Sequence, residues 1–99
     1  MKISIISASH RLRSQSKKVS AFLCDNLLNI DPKLDTFLLD LAEVSLPLWS
    51  PDKKNGKGVW GETWNSISDN FKKSEGFILV VPEYGGMATP AAKNIFLLC

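Results

Sequence analysis

Residues Gly76 to Asn94 read GFILVVPEYGGMATPAAKN. The stretch opens with Phe77-Ile78-Leu79-Val80-Val81, a run apolar on both faces, as expected of a strand buried between helix layers. Pro82 ends the run because its ring nitrogen has no hydrogen to give to a ladder. Glu83, Tyr84, Gly85 and Gly86 form a loop. Thr89 and Pro90 then have the chemistry of a helix cap and a first helical residue. The unit is strand, glycine loop, helix start, and in open parallel sheets ligands sit at this carboxyl end of the strands.

Two similar units precede it. Lys2 to Ala8 is isoleucine-rich and reads as a first, central strand. Ser9 to Ser16 is a polar loop (SHRLRSQS). A helix follows, with Val19, Phe22, Leu23, Leu27 and Ile30 as its expected core-facing stripe and Ser14 or Ser16 as its cap. Asp31-Pro32 stops it, since a residue before proline avoids the helical region. Leu34 to Leu39 reads as a second strand, bounded by Asp40. LAEVSLPLWSPDKKNGKG is long and irregular, and a loop of that length in a compact domain is usually functional, an interface or mobile. A second helix is expected from about Val59 to Lys73, with Trp60, Trp64, Ile67 and Phe71 as its apolar stripe and Gly76 as its stop. The order β-α-β-α-β-α implies a parallel sheet with right-handed crossovers.

The whole is 99 residues long, one domain at most, with 44% apolar and 22% charged residues and a net charge of +2. Arg11, Arg13, Lys17 and Lys18 cluster, but they are few and no aromatic residues interleave with them, so a nucleic-acid surface is not expected. Cys24 and Cys99 form no CxxC pair, so neither a disulfide framework nor a zinc site is indicated. Asp35, Asp40 and Glu43 are too scattered to suggest a metal site. The start MKISIISAS reads as a strand rather than a signal peptide, and no apolar run approaches the ~18 residues of a membrane span. A cytoplasmic location is the expectation.

The first loop sits where an anion is held best, between a strand and the positive end of a helix. It offers the hydroxyls of Ser9, Ser14 and Ser16 and the guanidinium groups of Arg11 and Arg13, which suit a phosphate monoester. It has neither the GxxxxGK[ST] nor the GxGxxG pattern. The competing reading is a solvated loop with a helix cap. In the third loop, Gly85 and Gly86 could turn backbone N–H groups toward a planar ring, with Tyr84 stacked on it; the competing reading is a tight turn that needs glycine. His10 reads as a solvated loop residue and Cys24 as core packing.

A phosphate at one loop and a flat ring at its neighbour describe FMN. Here the chain resembles the NADPH-dependent FMN reductases. Their Gly-Ser-x-Arg-x-x-Ser phosphate loop stands as Ala8-Ser9-His10-Arg11-Leu12-Arg13-Ser14, and their Pro-Glu-Tyr-Asn-Gly segment as Pro82-Glu83-Tyr84-Gly85-Gly86, followed by Ala92-Lys93-Asn94 where they have Leu-Lys-Asn. Asp40-Leu41 and Leu46-Pro47-Leu48 are also similar to the family's. The resemblance implies a flavodoxin-like three-layer α/β/α fold with a parallel sheet in strand order 2-1-3, truncated before strands 4 and 5. That leaves the third strand as a hydrophobic edge. It implies that Ser9, Arg11, Ser14, Gln15 and Ser16 hold the FMN phosphate, and that Pro82, Glu83, Tyr84 and Gly85 border the ring, with Lys93 and Asn94 structural. It further implies hydride transfer from NADPH through FMN to a small-molecule acceptor such as a quinone or free flavin, in a dimer or tetramer, the tryptophans offering a partner surface. Ala8 and Gly85 depart from the family's glycine and asparagine. A non-catalytic half-domain serving as a binding or interaction module is the alternative, and a phosphate-sensing module using the first loop alone is a third.

Overall fold

The computed structural model describes residues 1–49 and 61–99, so Val59, Trp60 and the later part of the long loop fall outside the described residues. The chain runs β1 (Lys2–Ser7), α1 (Gln15–Ile30), β2 (Asp35–Asp40), α2 (Gly61–Lys73), β3 (Gly76–Val80) and α3 (Pro90–Leu98). The strands form one parallel sheet in the order β2-β1-β3. Ile3 to Ser7 faces Thr36 to Asp40 on one side and Gly76 to Val80 on the other. This is a flavodoxin-like α/β/α arrangement; strands 4 and 5 of that fold have no counterpart among the described residues.

Period-2 alternation divides β1 between the two faces. On one face Ile6 and Leu39 meet Ile67 of α2 and Ile95 of α3, with Phe37, Trp64, Phe71 and Leu79 packed around them. Ile67 and Ile95 are almost wholly buried, Ile67 as the apolar spacing of α2 requires. The other face carries Ile5, which is fully buried, and Ser7.

The face of α1 differs from the expected stripe. Val19, Phe22 and Ile30 are exposed, whereas Ser16 and Ser20 are buried and Leu23 and Leu27 half-buried. The sheet-facing line is therefore Ser16-Ser20-Leu23-Leu27, still at helical spacing but rotated from the most apolar one. Small serines leave room for a close approach, and Ser20 Oγ donates to the Ser16 carbonyl at 2.7 Å, so its burial leaves no hydroxyl unpaired.

Gly76 does not stop α2. It has no positive φ and is the first residue of β3, paired with Ile3, whose Cδ1 would lie 3.0 Å from any added Cβ. The helix ends at Lys73, where Ser74 Oγ donates back to the Asn70 carbonyl at 2.8 Å and lies 2.5 Å from Ser4 Oγ. β2 is displaced by one residue from its expected span, taking in Asp40. The apolar run of β3 suits a strand between helix layers, but, as the order 2-1-3 implies, β3 is an edge: its residues are only half-buried and Phe77 is 48% exposed. No helix among the described residues is long and apolar enough to cross a membrane.

Candidate functional site at the carboxyl edge of the sheet

All three strand-to-helix loops leave from one edge, because the strands are parallel. In the first, Ser14 is the N-cap of α1, with extended backbone, and its Oγ accepts from the Lys17 N–H at 3.0 Å. The N–H groups of Gln15 and Ser16 lie in the first turn, where no helical carbonyl can reach them. No acidic residue sits in that turn. The local field is therefore positive, and the exposed guanidinium groups of Arg11 and Arg13 share the same loop. These features fit a phosphate.

The serines of that loop are used partly in shaping it. Ser9 is buried, and its Oγ accepts from the Arg11 N–H at 3.2 Å. Ser14 and Ser16 are also buried. Lys17 points to the β2 loop instead: its ammonium lies 2.6 Å from Glu43 Oε1 and 3.7 Å from Asp40 Oδ2. The hydrogen bond and charge of Glu43 raise its pKa above the ordinary 10.5. Of the basic cluster, Arg11 and Arg13 make no ion pair with a described residue.

The third loop is a two-residue turn. Tyr84 and Met87 exchange both backbone hydrogen bonds, at 2.9 and 3.2 Å, forming an antiparallel bridge. Gly85 and Gly86 between them have φ of 61° and 80°. Two consecutive positive values are what a type I′ turn needs, and Asn-Gly and Gly-Gly are its preferred pairs. A Cβ on either would touch nothing within 4 Å, so the requirement comes from the backbone angle and not from space. Asparagine, which stands here in the family that the chain resembles, suits the same turn position as Gly85. Glu83 caps it: its Oε1 accepts from the Gly86 N–H. That N–H is consequently committed to the turn.

The two loops meet. Ser9 Oγ and the Tyr84 hydroxyl are 3.3 Å apart, longer than a strong O–H···O bond but in contact. His10 stands edge-on to the Tyr84 ring, centroids 5.5 Å apart. Beneath them Thr89, fully buried, joins the loops by its side chain: Oγ1 donates to the Ala8 carbonyl at 2.6 Å and accepts from the Ala92 N–H at 3.1 Å. Arg11, Gln15, Glu83 and Gly85 are exposed around this junction, and Pro82 and Tyr84 are half-buried. Thr89 was legible as a cap, but nothing in the sequence signalled its bond to Ala8, 81 residues away.

The described fold and the paired loops define a flavodoxin-like protein whose first and third loops meet at the strand ends. The sequence model for NADPH-dependent FMN reductases matches residues 1–99, and the chain belongs to that family. No curated protein sequence matches it. Among solved structures, azoreductase AzrA is similar in fold with a TM-score of 0.70 at 18% sequence identity. That match covers 100% of this chain and 56% of the azoreductase chain, so the chain spans little more than half the length of this structural relative.

Proposed function

We propose that this chain binds FMN, with the phosphate at the first loop and the isoalloxazine ring beside the Pro82–Gly85 loop, as the flavin-holding part of an NAD(P)H-dependent oxidoreductase. The observation that carries this reading is the meeting of Ser9 and Tyr84, which brings an anion-suited helix start and an aromatic turn side by side. Ser9, Arg11, Ser14, Gln15 and Ser16 would serve the phosphate. The guanidinium of Arg11 and the first-turn N–H groups are its direct partners, and the buried serines hold the loop in shape. Pro82, Glu83, Tyr84 and Gly85 would border the ring. When bound, FMN would supply the redox chemistry, hydride passing from NADPH to a small acceptor such as a quinone, and the protein would orient it.

A titration of the purified chain with FMN and with riboflavin, followed by flavin fluorescence, tests this. Arg11→Ala should weaken FMN but leave riboflavin nearly unchanged, because only FMN carries the charge. Equal affinity of wild type and Arg11→Ala for FMN sinks the phosphate assignment, and no FMN uptake at millimolar concentration sinks the reading as a whole.

A second reading, a half-domain acting as a binding or interaction module, is favoured by the outer edge of β3, which pairs with no other strand among the described residues. Phe77, Phe96 and Leu97 are well exposed there, and a groove of about 570 Å³ lined by Trp64, Phe71, Phe77 and Phe96 runs between α2 and α3. An exposed apolar edge strand is a template for another strand. On this reading the partner is a second copy of the chain. Sedimentation should then give a dimer that Phe77→Lys dissociates; a monomeric wild type rules it out.

A further inference from the structure

His10 stands in the first loop between Ser9 and Arg11, where its neighbours suit an anion, yet its ring meets the third loop. It lies edge-on to Tyr84, with ring centroids 5.5 Å apart and planes at 89°. Edge-to-face is one of the two arrangements that aromatic pairs favour. Within their turn, Gly85 and Gly86 offer no side chain to Tyr84, and the Glu83 carboxylate is committed to the Gly86 N–H. Two holds on the Tyr84 side chain come instead from consecutive residues of the first loop: Ser9 Oγ lies 3.3 Å from its hydroxyl, and His10 meets its ring. The two contacts differ in kind. The Ser9 contact is longer than a strong O–H···O bond and holds only the tip of the side chain. Ser9 Oγ also accepts from the Arg11 N–H at 3.2 Å. An edge-on neighbour instead constrains the plane of the ring. His10 is exposed and Tyr84 half-buried, so the pair sits at the surface of the junction between the loops.

We propose that His10 is a positioning residue for the ring half of the flavin site: it belongs to the anion-suited loop but acts on the isoalloxazine, by holding the Tyr84 ring in the orientation that a flat ligand meets. The inference rests on the flavin reading above. A ligand that needs one orientation of Tyr84 binds more weakly in proportion as that orientation is less populated. Removing the brace therefore weakens binding by no more than the aromatic pair contributes.

Nuclear Overhauser contacts between the His10 and Tyr84 rings should be present in the free chain. FMN and inorganic phosphate are then titrated separately into wild type, His10→Ala, His10→Phe, Tyr84→Ala and the double variant His10→Ala with Tyr84→Ala, followed by the amide signals of Gln15 and Ser16. His10→Ala should weaken FMN roughly three- to tenfold, the worth of an edge-to-face pair, and leave phosphate within about twofold. His10→Phe keeps an aromatic edge without a ring nitrogen or a charge, and should restore the FMN affinity. In the Tyr84→Ala background His10→Ala should have no further effect on FMN, because the residue through which it acts is gone. An imidazole that served the anion would give another pattern, with phosphate and FMN weakened alike in both His10 variants, and that result overturns the proposal. So does an undiminished loss in the double variant, failure of phenylalanine to rescue, or absence of ring contacts in the free chain. Absence of FMN binding by wild type is seen before any variant is made, and it removes the flavin reading itself.

Discussion

Replacing Thr89 by valine tests the joint between the two loops with little change of shape. Valine preserves the branched outline but has no hydroxyl. Two bonds go: the cap to the Ala92 N–H at 3.1 Å and the donation to the Ala8 carbonyl at 2.6 Å. Losing an N-cap costs about 1 kcal/mol. Taking the donor from a buried carbonyl costs about 1–3 kcal/mol. Together the loss is about 2–4 kcal/mol, a large share of the ~5–15 kcal/mol that holds a domain folded. For a chain of this size the melting temperature should fall by about 10 °C or more. Thr89→Ser keeps the hydroxyl and should lose about 1 kcal/mol or less, from one methyl group. Urea unfolding of the three proteins gives the comparison. Valine within about 0.5 kcal/mol of wild type, or serine as damaging as valine, would show that the hydroxyl does not join the loops.

Further predictions concern the turn and the ion pair. Gly86→Ala forces a side chain into the left-handed region and should cost about 1 kcal/mol, while Gly85→Asn should be tolerated because asparagine suits that position of a type I′ turn; thermal melts decide between them. Lys17 has its pKa raised by Glu43, so its stabilisation is present below the unfolded value of 10.5 and is lost as pH rises through the higher folded value. The stability difference between wild type and Lys17→Met should accordingly be constant near neutral pH, shrink above pH 10.5, and fall with added salt. A difference that grows in alkali contradicts the pairing. Tyr84→Phe keeps the ring while removing the hydroxyl 3.3 Å from Ser9, and should alter FMN affinity far less than Tyr84→Ala.

The order β2-β1-β3 followed from the family resemblance, whereas the strands and the starts of α1 and α3 were legible because local chemistry decides them. Apolar runs mark β1 and β3, Ser14 and Thr89 cap, and Pro90 begins α3. The face of α1 was not legible. Hydrophobicity favoured Val19 and Phe22, but the close approach of the helix to the sheet selected Ser16 and Ser20. Gly76 has the local chemistry of a helix stop, but its place in β3 is set by Ile3, a contact 73 residues away that local sequence does not carry. The glycines of the third loop admitted two readings, and their φ angles show a tight turn, which still places Tyr84 at the first loop. Asn94 carried no signal of its bonds to the Trp49 N–H and the Pro47 carbonyl, because these partners lie 45 and 47 residues away and are backbone groups.

The most direct measurement is an amide NMR titration of the isotope-labelled chain with FMN. Signals of Gln15 and Ser16 at the start of α1 and of Tyr84 to Gly86 should shift together and fit one dissociation constant. Shifts confined to a single loop, or appearing instead along β3 and the groove between α2 and α3, would contradict a flavin held between the two turns.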